Sequence, residues 1–281
     1  MAASSSLPHV VFPSFHGPDV RKGILSHLHI VFERKKITMF KDQEMERCQQ
    51  IGSKLIQAIR EAKASLVLIS KNYASSRCCL DELLEILKCK ESSGQIVMPI
   101  FYDVDPSDVR KQKGDFGITF KTTCQGATEE KKQRWIEALT CVATITGEDS
   151  RTWANDAAML EKISTVMLKQ LKIQKLKEKF RIHDLDHNGF ITNHELRYVM
   201  STTDKQARKI VDKATDKQVR KIIKAADVDN DGQISFDEFV KFIENDENIN
   251  IEDEVWWKSL PQKQCHGRKR KIFFEFFGRS M

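Results

Sequence analysis

Two stretches of twelve residues, 184–195 and 227–238, place oxygen-bearing side chains at alternate positions, a glycine sixth and a glutamate last. Alternate oxygens around a sharp turn close on one hard cation, and the last glutamate can grip it with both oxygens. In the first stretch the donors are Asp184, Asp186, Asn188 and Glu195, with Gly189 at the turn and the Phe190 carbonyl completing the set. In the second they are Asp227, Asp229, Asp231 and Glu238, with Gly232 at the turn and the Gln233 carbonyl. Ile191 and Ile234 hold the eighth positions, where paired loops are expected to join by a small β-bridge. Amphipathic stretches flank each loop, so the region reads as a pair of calcium-binding helix–loop–helix sites. His183, His187 and His194 lie nearby but lack the spacing of a zinc ligand set.

Upstream the pattern changes. His9–Phe15 and Ile37–Phe40 read as strands, and Pro18–Arg34 as a helix with Val20, Ile24, Leu28 and Val31 at helical spacing. A further helix is expected from about Ile51 to Ala62. Ser65–Ser70 and Ile96–Tyr102 are near-continuous apolar runs, as strands covered on both faces require, with a helical stretch at Leu80–Lys90 between them. Repeated β-α order implies a parallel sheet with helices on both faces. No glycine-rich phosphate loop follows any strand, and spacing alone assembles no Ser-His-Asp or Cys-His set. Read from its residues alone, this is an α/β domain of open function.

Asn155 to His183 lacks Gly and Pro and reads as helix. Its apolar stripe shifts: Leu160, Ile163, Met167 and Leu171 share one face, while Ile173, Leu176 and Phe180 share another, turned by about 140°. The two halves are therefore expected to pack in different bodies, with a boundary near Lys172. That divides the chain into an α/β domain at 8–171, an all-α calcium domain at 172–246 and a charged, aromatic tail at 247–281. The tail is expected to be poorly ordered. Thr203–Ala214 repeats as Thr215–Ala226, which reads as a lengthened connecting helix.

Composition sets wide bounds. Hydrophobic residues make up 40% and charged residues 31%, as in a globular chain with a wet surface. The formal charge of +6 is concentrated unevenly: Asp246–Glu254 is acidic and Arg268–Lys271 wholly basic. That is the signature of a tail and a poor one for a nucleic-acid groove, so no nucleic-acid partner is expected. No apolar run approaches a membrane span, and residues 1–8 lack the features of a signal peptide. Seven cysteines without a Cys-x-x-Cys pair read as reduced thiols, which points to the cytoplasm, with the nucleus also open.

KEKFRIHDLDHNG (177–189), HELRYVM (194–200) and AADVDNDGQISFDEFVKFI (225–243) resemble the C-terminal EF-hand pair of calmodulin. His183 stands where that family usually has Phe, and the duplication widens the spacing between loops. VFPSFHGPDVRKGILSHL (11–28), ITMFKDQEMER (37–47), LVLISKNYASSRCCLDELLEIL (66–87), PIFYDVDPSDVRKQKGDFG (99–117) and RWIEALTCVATITGEDS (134–150) resemble the TIR domain of plant disease-resistance proteins.

The second resemblance implies a flavodoxin-like sheet, a role in plant immune signalling and, for many members, hydrolysis of NAD at the nicotinamide–ribose bond. By position the catalytic carboxylate is Glu82. Phe15, His16, Gly17, Asp19 and Cys78 would line the NAD pocket. Many relatives have Arg where His16 stands, and the family has Trp where this chain has Cys78. That ring would stack on the substrate, worth about 1 kcal/mol beyond its burial. Cys48 replaces a usual Gly or Ser. Ser26 and His27 match a pair that relatives use to pack against another TIR domain, so other TIR domains and immune-signalling proteins are the expected partners. The rival expectation is a non-catalytic adaptor whose self-association or partner binding is set by calcium.

Overall fold

The computed structural model describes residues 11–41, 52–203 and 211–246. The expectations for the 247–281 tail and for Cys48 fall outside the described residues, as does 204–210 within the first copy of the duplicated segment, whereas the join of the two copies at Ala214–Thr215 lies in a described helix, Val211–Ala226. The elements are β1 (Val11–Phe15), α1 (Gly17–Val20), α2 (Ile24–Arg34), α3 (Ser53–Glu61), β2 (Ala64–Ser70), α4 (Arg77–Ser93), β3 (Ile96–Tyr102), α5 (Pro106–Lys111), α6 (Gly114–Cys124), α7 (Glu129–Val142), β4 (Glu148–Asp149), α8 (Asp156–His183), β5 (Phe190–Thr192), α9 (Asn193–Thr203), α10 (Val211–Ala226), β6 (Gln233–Ser235) and α11 (Phe236–Asp246). Contacts divide the chain into two units, through Ile173 and from Gln174. None of the described helices is long and apolar enough to cross a membrane.

In the first unit β1 to β4 form one parallel sheet in sequential order. Met39 forms a parallel bridge to Val11 on the far side of β1, so the expected strand Ile37–Phe40 amounts to that bridge among the described residues. Counting it second, the order is 2-1-3-4-5, the flavodoxin-like arrangement. Alternation along β2 fills two cores. Val67 and Ile69 join Leu55, Ile59, Leu80, Leu83 and Trp135 on one face; Leu66 and Leu68 join Leu28, Phe32, Met159 and Ile163 on the other. Both faces are covered, which is why β2 reads as an unbroken apolar run.

The single helix expected over Pro18–Arg34 is broken. α1 ends at Val20 and α2 starts after Gly23, whose ψ of −116° leaves the helical range. α4 is longer than its apolar pattern suggests. Ser76 caps its start by accepting from the Cys79 amide, and Gly94 stops it in the left-handed region at φ 68°. Asp81 seats it on α7, accepting from Trp135 Nε1 at 2.9 Å and Lys131 Nζ at 3.0 Å.

In the second unit β5 and β6 pair antiparallel, with Ile191 opposite Ile234. Phe180, Leu196, Val219, Ile223 and Phe239 form its core, and Phe180 meets the edges of Phe236 and Phe239 at 5.5 Å each. His183 is buried against Phe239 and shares a hydrogen bond with the Lys179 carbonyl through Nδ1. Burial holds its imidazole below the ordinary value despite that bond.

Candidate functional site

In an open α/β sheet, ligands sit where strand order reverses, beyond the carboxyl ends of the strands. Here that place lies between β1 and β2, and the turns that leave them close a cleft of about 1400 Å³. Phe15, His16, Gly17, Asp19, Cys78 and Glu82 all line it. β1 and α1 deliver the first four and the opening turns of α4 the last two.

Glu82 is buried, whereas a glutamate on an amphipathic helix would ordinarily face water. Its Oε2 accepts a 2.6 Å hydrogen bond from Ser14, itself 0% exposed in β1. Ser14 Oγ also lies 2.8 Å from Tyr73 Oη, which reaches the Cys79 carbonyl at 3.0 Å. Burial, with Cys79 and Glu82 alongside, pushes the Tyr73 phenol well above its ordinary value, so it stays protonated. Burial and Glu82 do the same to the Cys79 thiol, which donates to the Phe15 carbonyl at 3.3 Å. Cys79 is therefore a packed thiol and no thiolate nucleophile.

Asp19 anchors the other wall. It accepts from Ser70 Oγ at 2.6 Å, the Asn72 amide at 3.0 Å and Asn72 Nδ2 at 3.1 Å. Burial would raise its carboxyl, but the bonds from Ser70 and Asn72, with His16 alongside, outweigh that and hold it below the usual range. His16 Nδ1 lies 3.0 Å from Asp19 Oδ1, off the line an N–H donor requires, so the contact is electrostatic. Its Nε2 lies 3.3 Å from Ser75 Oγ. The fold thus assembles the Asp-His-Ser set that spacing did not reveal, but the Ser75 hydrogen is donated to the Asn72 carbonyl at 2.7 Å. Ser75 is a poor nucleophile in that state.

A Cβ at Gly17 would stand 3.2 Å from Arg21 Nη2, the far end of a flexible side chain. Arg21 lies over the Phe15 ring at 5.2 Å. Cys78 is buried on the cleft wall. Ser14, Tyr73, Ser70, Asn72 and Arg21 went unremarked as site residues in the sequence. The one signal was a serine inside an apolar strand, at Ser14.

Ser26 and His27 stand on α2. Ser26 Oγ donates to the Gly23 carbonyl at 2.7 Å, and His27 is exposed, with exposed Ile30 on the same face.

The loops of the second unit are shaped for a cation. Carboxylate oxygens of Asp184, Asp186 and Glu195 lie within 4.8 Å of one another, as do those of Asp227, Asp229 and Asp231. Glu195 accepts from the Leu185, Asp186 and Thr192 amides, and Glu238 likewise from Val228, Asp229 and Ser235. Burial works against ionising either glutamate, but these bonds prevail, holding Glu195 low and Glu238 at about 2. Asp229 accepts from the Asp231 amide, yet burial and the charges of Asp231, Glu238 and Asp227 raise it. Crowded, all-oxygen anionic donors fit calcium. Gly189 and Gly232 take φ of 90° and 85° at the turns. Asn188, Phe190 and Gln233 sit at their loop positions, the last two in β5 and β6.

A family model of the TIR domain matches residues 8–187. The chain belongs to the TIR domain family. A family model of the EF-hand domain pair matches residues 173–244 of this TIR protein. Its TIR region is 61% identical over 156 residues to Disease resistance protein TAO1 of Arabidopsis thaliana, covering 56% of this chain and 13% of that protein. It is 57% identical over 161 residues to Disease resistance protein RML1B of the same plant, covering 57% and 16%. The chain thus spans a small part of these curated relatives. Among solved structures, the TIR domains of the activated Roq1 resistosome, which recognises the pathogen effector XopQ, match at a TM-score of 0.51 and 41% identity, covering 55% of this chain and 96% of that one.

Proposed function

We propose that the TIR unit hydrolyses NAD at the nicotinamide–ribose bond, with Glu82 as the catalytic carboxylate, and that the EF-hand pair makes the protein calcium-responsive. The observation that carries this reading is the Ser14–Glu82 hydrogen bond of 2.6 Å at the cleft where Phe15, His16, Gly17, Asp19 and Cys78 meet. Nicotinamide leaves as a neutral base from a cationic substrate, so the cleft need not supply a strong acid. A buried carboxylate beside the ribose can hold its hydroxyls and stabilise the oxocarbenium-like charge that builds as the bond breaks. Water then takes the nicotinamide's place on the ribose carbon and releases its proton to solvent.

Asp184, Asp186, Asn188, Glu195 and the Phe190 carbonyl would hold one calcium ion, and Asp227, Asp229, Asp231, Glu238 and the Gln233 carbonyl the other. Calcium there would supply the positive charge that offsets the carboxylates crowded in each loop. The residues of α8 divide between the two units: Met159 and Ile163 belong to the sheet core and Phe180 to the EF-hand core. Self-association through the Ser26–His27 face of α2 and immune-signalling partners in the cytoplasm or nucleus complete the proposal.

Cys78 favours a second reading, the non-catalytic adaptor, since a thiol replaces the family's aromatic ring on the cleft wall. Incubating the purified chain with NAD, with calcium and with chelator, and assaying nicotinamide separates the two. Release that responds to calcium supports the enzyme; no release in either condition supports the adaptor.

A further inference from the structure

Ser14 is a hydroxyl where the strand pattern calls for an apolar side chain. It is 0% exposed, sits between Pro13 and Phe15 in β1, and pairs through its backbone with Val67 of β2. Burying a hydroxyl costs free energy unless it is hydrogen-bonded, so its partners indicate why it is there. Those partners are Glu82 Oε2 at 2.6 Å and Tyr73 Oη at 2.8 Å.

The hydrogens can be assigned by counting. Ser14 Oγ donates to Glu82 Oε2 at 2.6 Å, so the Ser14 hydrogen lies on the line to Glu82. Ser14 Oγ then has only lone pairs to offer Tyr73, whose single hydrogen is shared between Ser14 and the Cys79 carbonyl 3.0 Å away. The order is Tyr73 to Ser14 to Glu82. All three side chains are buried, and they come from a strand, a short helical turn and α4. The contact spans 68 residues of sequence and ties the first turns of α4 to β1.

We propose that Ser14 is a positioning residue for Glu82: its hydroxyl, oriented by Tyr73, fixes where the carboxylate stands in the cleft. The inference rests on the reading of Glu82 as the catalytic carboxylate. A carboxylate that must meet a developing charge has to be held before the reaction begins, because a displacement of about 1 Å can cost roughly 100-fold in rate. A donor on a rigid strand holds it at no cost in reorganisation.

The test compares wild type with Ser14→Ala, Ser14→Cys and Tyr73→Phe in the full chain, with NAD as substrate. Ser14→Ala is expected to lower kcat by roughly 10- to 100-fold with KM changed less than about twofold, since substrate still binds but meets a misplaced carboxylate. Ser14→Cys, which keeps a weak donor, falls between the two. Tyr73→Phe loses less than Ser14→Ala, and the double variant is no worse than Ser14→Ala alone, as expected of one connected set. A lower melting temperature with unchanged kcat in Ser14→Ala and Tyr73→Phe would overturn the proposal, leaving Ser14 a packing residue. Should wild type release no nicotinamide, the enzymatic reading fails, and crystal structures of wild type and Ser14→Ala decide the positioning role. A Glu82 carboxylate displaced by about 1 Å or more supports it; one that stays in place refutes it. If Ser14→Ala does not fold, Ser14→Cys and Tyr73→Phe carry the same comparison.

Discussion

Ile191 and Ile234 face each other across the antiparallel β5–β6 pair, both almost wholly buried. Each is the eighth residue of its loop, two positions past the turn glycine and four before the terminal glutamate. The backbone that shapes one loop is therefore hydrogen-bonded to the backbone that shapes the other. Cutting either isoleucine to alanine is expected to destabilise the EF-hand pair by about 2–5 kcal/mol and to weaken calcium binding at both loops. Titration of Ile234→Ala in the full chain checks this. A loss confined to the second loop would mean that the loops bind independently.

The second loop is expected to bind calcium more tightly than the first. It presents Asp227, Asp229, Asp231 and Glu238, while the first has Asn188 in place of a third aspartate. Charge count is one determinant of affinity. In calorimetry, Glu238→Gln should remove the tighter event and Glu195→Gln the weaker. The opposite assignment would reverse the ranking.

Burial changes what is expected of Glu82. On an exposed helix face its replacement would leave stability untouched, but here Glu82→Ala strands the Ser14 donor at a cost of about 1–3 kcal/mol. Glu82→Gln keeps a side-chain oxygen for Ser14 and is the cleaner variant. It should abolish nicotinamide release with a smaller fall in melting temperature than Glu82→Ala. Cys78→Trp should raise release by restoring a ring to the cleft wall. An unchanged rate would show that Cys78 is no handicap.

Asp19 links the turn after β1 to the turn after β2, and its carboxyl is held below 3.8. The sign follows from linkage. The depressed carboxyl contributes stability that is present above the unfolded value of 3.8 and is lost as pH falls through the lower folded value. Asp19→Asn should therefore lower the melting temperature at neutral pH and flatten its decline below about pH 4. Parallel melting curves for the two proteins across that range would contradict this.

What could be read from the sequence was what is decided locally. Each loop position answers to the ion and the turn, so Asp184 to Glu195 and Asp227 to Glu238 carry their meaning in order. The change of face along α8 was visible as a shift in helical phase, and Met167 and Phe180 do lie in different cores. The break at Arg21–Gly23 was hidden because Val20, Ile24 and Leu28 keep helical spacing across it. The inward aim of Glu82 was hidden for a different reason. Ser14 and Tyr73, which hold the site together, are 68 and 9 residues away in sequence, and only the parallel sheet brings β1 beside the start of α4. No local pattern encodes such a meeting.

The seat of α4 also has an optical consequence. Trp135 is fully buried, and its indole donates to Asp81, the residue next to Glu82 in the chain. A carboxylate hydrogen-bonded to an indole and an ammonium 5.1 Å from its ring make the emission of Trp135 responsive to any movement of that helix. The difference spectrum between wild type and Trp135→Phe therefore gives a label-free signal of whether the carboxylate-bearing helix is in place, readable in milliseconds while substrate or calcium is mixed in.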